Sequence, residues 1–240
     1  MKNVLIQIFL HVFFIGSVCS QNLKINEIMP SNGMTSFDSF GESSDWVEVY
    51  NNSSNTMQLS NYYLSNNFSD KLKWQLPVIN LPAQSWVLVY CSGRDIRVTE
   101  YHSNFKLSNS KDSIGVFFKD GATIDVLVYD SMPADVSYGL NPDGSVVTNF
   151  FIAATPNATN NNSNGFSCLL SPPVLSSKSG FYSSPHTLNI THSEPGVELR
   201  FTENGNTPSV SSSLYSVSLG LTTNLDTNRL SLIPTNSGVI

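Results

Sequence analysis

Between Asn22 and about Phe151 apolar and polar residues alternate in short runs that turn signals interrupt. In Asp45–Asn51 the alternation is clean: Trp46, Glu48 and Tyr50 fall on one face of an extended chain, Val47 and Val49 on the other. A helix would scatter this pattern, so the stretch predicts a half-buried strand. Leu23–Met29, Met57–Ser65, Trp74–Pro77 and Gln84–Ser92 read as further strands. Within the last, Trp86-Val87-Leu88-Val89-Tyr90 is apolar throughout and predicts burial on both faces. Asp112–Phe118 and Thr123–Tyr129 flank Lys119-Asp120-Gly121, a strong hairpin signal, with Ile124, Val126 and Val128 along one face of the second arm. Ser137–Leu140 closes the series. No stretch keeps a helical period. The pattern predicts an all-β sandwich.

Residues 153–171 lose all periodicity and are rich in Asn, Ser, Thr and Pro, a linker by composition. A second β pattern opens at Pro172, with strands expected at Thr187–Thr191, Val197–Thr202 and Leu214–Leu219 and a hairpin turn at Asn204-Gly205. So few strands leave unpaired edges. Residues 172–240 are thus expected to be either a small, incomplete module or one that continues past Ile240.

Composition adds a compartment. Lys2, the apolar run Val4–Phe14 and Val18-Cys19-Ser20 read as an export signal over residues 1–20, too short to span a bilayer. The mature chain, from about Gln21, is then secreted or held at the cell surface, with no transmembrane helix. Only 12% of residues are charged, against roughly 25% in an average soluble domain. The net charge is −6 with no basic run, which argues against nucleic acid as a partner. Cys91 and Cys168 remain after cleavage, and the sequence leaves open whether they pair or stay free thiols.

Candidate chemistry is sparse. His102 in a loop, and His186 and His192 flanking a strand, read as surface histidines rather than members of a nucleophilic triad. There is no zinc spacing, phosphate loop or nucleophile elbow, so no catalytic residue is assigned. The acidic set Glu27, Asp38, Glu42, Asp45 and Glu48 admits three readings. Glu27, Asp45 and Glu48 could hold calcium through hard oxygen ligands, two carboxylates could work as acid and base, or all are solvated groups capping turns. Trp46, Trp74, Trp86, Tyr62 and Tyr63 could form a platform for sugar rings, although a sandwich core also consumes such residues. Asn52, Asn67, Asn157 and Asn189 stand in glycosylation sequons, relevant only if the source modifies exported chains.

Ordered motifs carry a family resemblance. Ile25-Asn26-Glu27-Ile28-Met29 and Asp45-Trp46-Val47-Glu48-Val49-Tyr50-Asn51 are followed by Leu59–Ser65, Trp74-Gln75-Leu76-Pro77 and Asn104–Ser108. Asp120-Gly121, Ser137-Tyr138-Gly139, Pro142-Asp143-Gly144 and Thr155-Pro156-Asn157-Ala158-Thr159-Asn160 complete the order. This run, about residues 22–160, resembles a lamin-tail domain, with Asn157 where that family usually has glycine. Pro173, Ser179-Gly180-Phe181-Tyr182, Val197–Thr202, Asn204-Gly205, Thr207-Pro208-Ser209 and Ser213-Leu214-Tyr215 resemble the chitobiase and β-hexosaminidase carboxy-terminal domain. The pairing implies two immunoglobulin-like β modules in an exported bacterial protein. It implies a non-catalytic role in attachment to a cell-surface protein or glycan, or in positioning a neighbouring domain. It also implies an alternative, in which the chain is the amino-terminal accessory region of a kinase-like enzyme of the spore-coat-H type or of a glycan-acting enzyme.

Overall fold

The computed structural model describes residues 22–180 and 182–221, so the expected export signal and the end of the chain lie outside the described residues. The chain divides into two compact units between Cys168 and Leu169.

In the first unit the strands are β1 (Leu23–Met29), β2 (Trp46–Asn51), β3 (Met57–Gln58), β4 (Tyr62–Ser65), β5 (Trp74–Gln75), β6 (Asn80–Leu81) and β7 (Trp86–Tyr90). They continue with β8 (Ile96–Val98), β9 (Glu100–His102), β10 (Asp112–Phe118), β11 (Thr123–Tyr129), β12 (Ser137–Leu140) and β13 (Thr148–Phe151). One sheet runs β13-β12-β1-β2-β7-β9-β8, and a second runs β11-β10-β4-β5. β1 packs against β10 and β11 of the second sheet, which makes the unit an immunoglobulin-like sandwich.

The inner face of the large sheet follows from register. Ile28 lies opposite Val47 and Val47 opposite Val89, while Ile25 lies opposite Val49 and Val49 opposite Val87. All six are buried, as are Leu64, Trp74, Ile114, Val116 and Leu127 of the second sheet. Strict alternation could not place both Ile25 and Ile28 inward, because they are an odd number of residues apart. A β-bulge between Ile25 and Glu27 resolves this by inserting Asn26 as an extra residue. The Ile25 N–H, displaced from the ladder, donates to Asp125 on β11 at 2.9 Å, and Lys24 pairs with the same carboxylate at 3.0 Å. The bulge thus ties the two sheets together along one side.

Several expectations change. β2 is buried along its whole length rather than half-buried. Its outer face carries Trp46, Glu48 and Tyr50, and the chain that follows β13 covers Trp46 and Glu48. The Met57–Ser65 run breaks into β3, a 3-10 turn at Leu59–Asn61, and β4. In β11 the buried side chains are Leu127 and Tyr129, whereas Val128 is 57% exposed, so the Ile124, Val126 and Val128 face is the outer one. The Lys119-Asp120-Gly121 turn forms as expected, with Gly121 in the left-handed region and Ala122 N–H held by Asp120 Oδ1 at 2.9 Å.

Among its described residues the second unit holds three two-stranded pairs. They are β14 (Val174–Leu175) with β16 (Ile190–Thr191), β15 (His186–Leu188) with β19 (Leu219–Leu221), and β17 (Arg200–Phe201) with β18 (Ser213–Leu214). Arg200 pairs with Leu214, so the arms meet across residues 202–212 and not across a tight Asn204-Gly205 turn. Asn204 instead closes a local turn by accepting the Asn206 N–H at 3.0 Å. No described residue of this unit is fully buried.

Candidate functional site

The outer face of the large sheet concentrates the chain's unusual chemistry. Cross-strand register places Glu27 beside Glu48 and Glu48 beside Leu88, then Met29 beside Trp46 and Trp46 beside Tyr90. Tyr50 lies beside Trp86, their rings 5.7 Å apart. Glu27 and Glu48 have no exposed surface at all. Two buried carboxylates in adjacent positions require donors for their oxygens, and residues 153–166 supply most of them.

Thr155 donates to Glu27 through its N–H, at 3.2 and 3.3 Å to the two oxygens, and through its hydroxyl at 2.9 Å. Ser137 on β12 also donates to Glu27. Glu48 accepts from the Asn157 N–H at 2.7 Å and from Asn26 Nδ2 at 3.1 Å. Asn26, free of the ladder because of the bulge, also reaches Asp143 Oδ1 at 2.9 Å and accepts the Gly144 N–H at 3.2 Å. Asn160 is fully buried; its amide donates to the carbonyls of Leu140 at 2.8 Å and Asn26 at 3.3 Å. The following 3-10 turn, Asn160–Asn162, and a bridge between Phe150 and Phe166 fasten the rest of the segment along β13. The expected linker therefore begins too early. Residues 153–166 are the lid of the first unit, and their polar composition reflects hydrogen bonding to buried acids rather than solvation.

Asn157 adopts φ of +60°, in the left-handed region. That conformation suits glycine or asparagine and strains a branched side chain. Asn157→Gly is expected to leave the melting temperature within about 2 °C. Asn157→Val is expected to cost about 1–2 kcal/mol of stability by chemical denaturation.

Burial pushes both glutamates up, Glu48 to about 8. Hydrogen bonds from Asn26 and the Asn157 N–H partly offset the rise for Glu48, while Glu27 and Asp143 add to it. For Glu27 the offsetting donors are Ser137 and Thr155, and Asp143 again adds. Glu48 thus stays protonated at neutral pH.

Asp45 does not join them. Three positions from Glu48 along an extended chain, it lies about 10 Å away on the opposite face. There its Oδ1 accepts the Asn32 N–H at 3.1 Å, and it borders an open cleft of about 410 Å³ with Phe37, Cys91, Ser92 and Lys106. The structure therefore does not assemble the expected calcium ligands Glu27, Asp45 and Glu48. Among the described residues no group of three or more His, Cys, Asp or Glu side chains is placed to hold a metal ion. Asp38 and Glu42 stand in the β1–β2 loop, where Asp38 caps a turn by accepting the Phe40 and Glu42 N–H groups at 3.0 and 2.9 Å. Millimolar calcium is accordingly expected to leave the melting temperature unchanged, whereas a rise of several degrees would restore a metal reading.

His102 is not a surface loop residue: it lies on β9 with no exposed surface. Its Nδ1 meets Ser92 Oγ at 2.9 Å and its Nε2 meets Glu100 Oε2 at 2.9 Å, while Ser39 donates to the same Glu100 oxygen through N–H and hydroxyl at 2.8 and 2.6 Å. Burial raises the Glu100 carboxyl, but the Ser39 and His102 contacts outweigh it, and its pKa falls below the ordinary value. The order serine, histidine, glutamate resembles a triad. Yet the ring is stacked on Tyr90 and met edge-on by Phe40, and with no open surface it has no route to a leaving group. It works as a strut for the β1–β2 loop, which Tyr90 also holds through Ser36.

Cys91 and Cys168 are both free thiols. Burial pushes Cys91 up to about 12, which makes it inert as a nucleophile.

Beside the lid lies the second open feature, a groove of about 380 Å³ lined by Trp86, Leu88, Tyr90, Thr99, Tyr101 and Asn157. Of the five aromatic residues expected to stack sugars, Trp46 and Trp74 are wholly buried and belong to the core; only Trp86 borders this groove. Its indole N–H has no acceptor within the protein. Tyr90 and Tyr101, which no pattern along the chain singles out, complete the aromatic wall.

The first unit is thus a β-sandwich with an aromatic groove on the outer face of its large sheet. Comparison with known families agrees. Residues 19–131 match the Lamin Tail Domain, and residues 177–238 match the Chitobiase/beta-hexosaminidase C-terminal domain, in the order that the motifs imply. Both are immunoglobulin-like accessory modules, which supports a binding-type role. No curated protein matches the chain. Among the described residues no helix is long and apolar enough to cross a membrane.

Proposed function

We propose that the protein is exported and serves as a non-catalytic attachment module, with the groove beside Trp86 as the seat for a glycan chain. The supporting observation is that groove's chemistry: aromatic and aliphatic walls from Trp86, Leu88, Tyr90 and Tyr101, with Thr99, Glu100 and Asn157 as polar neighbours. A sugar ring offers apolar C–H faces with hydroxyls at the edge, and aromatic side chains match the faces. The export signal read at residues 1–20 puts such a site outside the cell, at its surface or in its surroundings.

Retention of the full chain on chitin, cellulose and peptidoglycan tests this at fixed pH 6. Retention on at least one of these is expected to fall tenfold or more in Trp86→Ala and Tyr101→Ala variants that keep a cooperative melt. Retention on none of them, or retention that both variants leave intact, contradicts the glycan reading.

A further inference from the structure

We infer that residues 154–160 form a proton-operated latch on the groove, closed while the Glu27–Glu48 pair holds a proton and lifted when both carboxyls ionise. The proposal rests on the groove reading above and adds its regulation. Its basis is geometric. Glu27 and Glu48 are cross-strand neighbours with no exposed surface. Among the described residues every donor to their oxygens is neutral: Ser137, Thr155, Asn26 and Asn157. Among the described residues no cation pairs with either, since Lys24, the nearest in sequence, is committed to Asp125.

The charged groups acting on the pair are the two carboxyls themselves and Asp143 in the β12–β13 turn. Phenols stand near them on the same face, Tyr50 on β2 and Tyr90 on β7. The lid brings no titratable side chain of its own. Two adjacent buried carboxylates with a third nearby repel one another, and only water can relieve both. The lid is what excludes water, so ionisation works against its closure.

The lid is also a wall of the groove. Asn157 donates to Glu48 and lines the groove, and Ala154 packs on Met29, Trp46, Leu88 and Tyr90, of which the last two line it too. Lifting the segment therefore reshapes the groove at one edge while the strands beneath stay paired. Proton binding and groove shape are linked through one residue, Asn157.

Hydrogen exchange of the full chain from pH 6 to 10, corrected for the intrinsic rate, reads the latch without any ligand. Protection across 153–160 is expected to drop at least tenfold between pH 7 and 9, while β10 and β11 stay protected. Glu27→Gln keeps the arrangement, because its amide nitrogen can face Ser137, whose hydroxyl turns to accept, while its oxygen accepts from Thr155. That variant is expected to keep the segment protected at pH 9. Asp143→Asn, with its amide nitrogen toward the Thr159 hydroxyl, removes only the third charge and is expected to give an intermediate loss. Protection that does not change with pH, or is lost equally in β10 and β11, overturns the latch. So does the same loss in both variants as in the unaltered chain. These results leave the pH 6 retention test of the groove untouched.

Discussion

Gly139→Ala is expected to be the most damaging single substitution in the first unit, at a cost of about 3–5 kcal/mol. Gly139 sits on β12 opposite Glu27, where the bulge at Asn26 pushes the β1 backbone outward. A Cβ there would lie 2.2 Å from the Asn26 carbonyl oxygen and 2.8 Å from the Glu27 Cα. Both are backbone atoms in the middle of the large sheet, so neither can swing aside as a side-chain tip could. Relief would need β1 and β12 to separate, which breaks their pairing and opens the cover over Glu27. Urea denaturation of the full chain measures the loss. Gly121→Ala is the control, since it meets nothing within 4 Å and carries only the strain of φ +85°; it is expected to cost about 1–2 kcal/mol. Equal costs for the two would mean that the bulge does not press on β12.

Stability is expected to fall as pH rises from about 5 to 9, the reverse of a protein held by paired carboxylates. Glu48 has a folded-state value of about 8 against an ordinary 4.5, and Glu27 moves the same way. A group raised on folding binds its proton more tightly in the native state. Its contribution is therefore fully present below about 4.5 and is lost as pH climbs through 8. At about 1.4 kcal/mol per tenfold change in proton affinity, the loss is on the order of 3–5 kcal/mol. Partial lifting of the lid hydrates the acids and limits it, so the melting temperature should drop by about 5–10 °C. Groups lowered on folding, Asp38 and Glu100, act in the opposite sense, but only below about pH 4. The optimum is thus expected near pH 5. Glu27→Gln should flatten the alkaline side, and a melting temperature that rises from pH 5 to 9 would refute the assignment.

The strands of the sandwich were largely legible, because a strand with one buried face writes a two-residue period into the sequence. β1, β10, β11 and β12 fall where alternation and turn signals place them. The bulge was legible too, had the break between Ile25 and Ile28 been weighed as a change of face. The short hairpin of β8 and β9 was not, since Ile96–His102 mixes charges with apolar residues and has no turn glycine. His102 is buried because Tyr90 and Phe40, distant in sequence, close over it. The lid misled for a different reason. Thr155, Asn157 and Asn160 form hydrogen bonds to buried acids, and those same residue types fill a solvated linker. Only Asn26, Glu27 and Glu48, an amide and two carboxyls within strands that are largely apolar, hinted that polar partners had to arrive from elsewhere. The groove was half legible: Trp86 was among the candidates and Tyr90 shares its strand, but Tyr101 joins them only through the parallel pairing of β7 and β9.

Glu27 and Glu48 lie sealed beneath residues 153–160, and the Glu48 carboxyl reports that directly. A carbon-13 NMR titration of the glutamate side chains in the full chain, assigned with Glu48→Asp, is the measurement. The Glu48 signal is expected to stay at its protonated position through pH 7 and to move near pH 8, together with the amide of Asn157. A Glu48 signal that titrates near 4.5, with the Asn157 amide indifferent to it, would contradict the sealed pair and the lid that covers it.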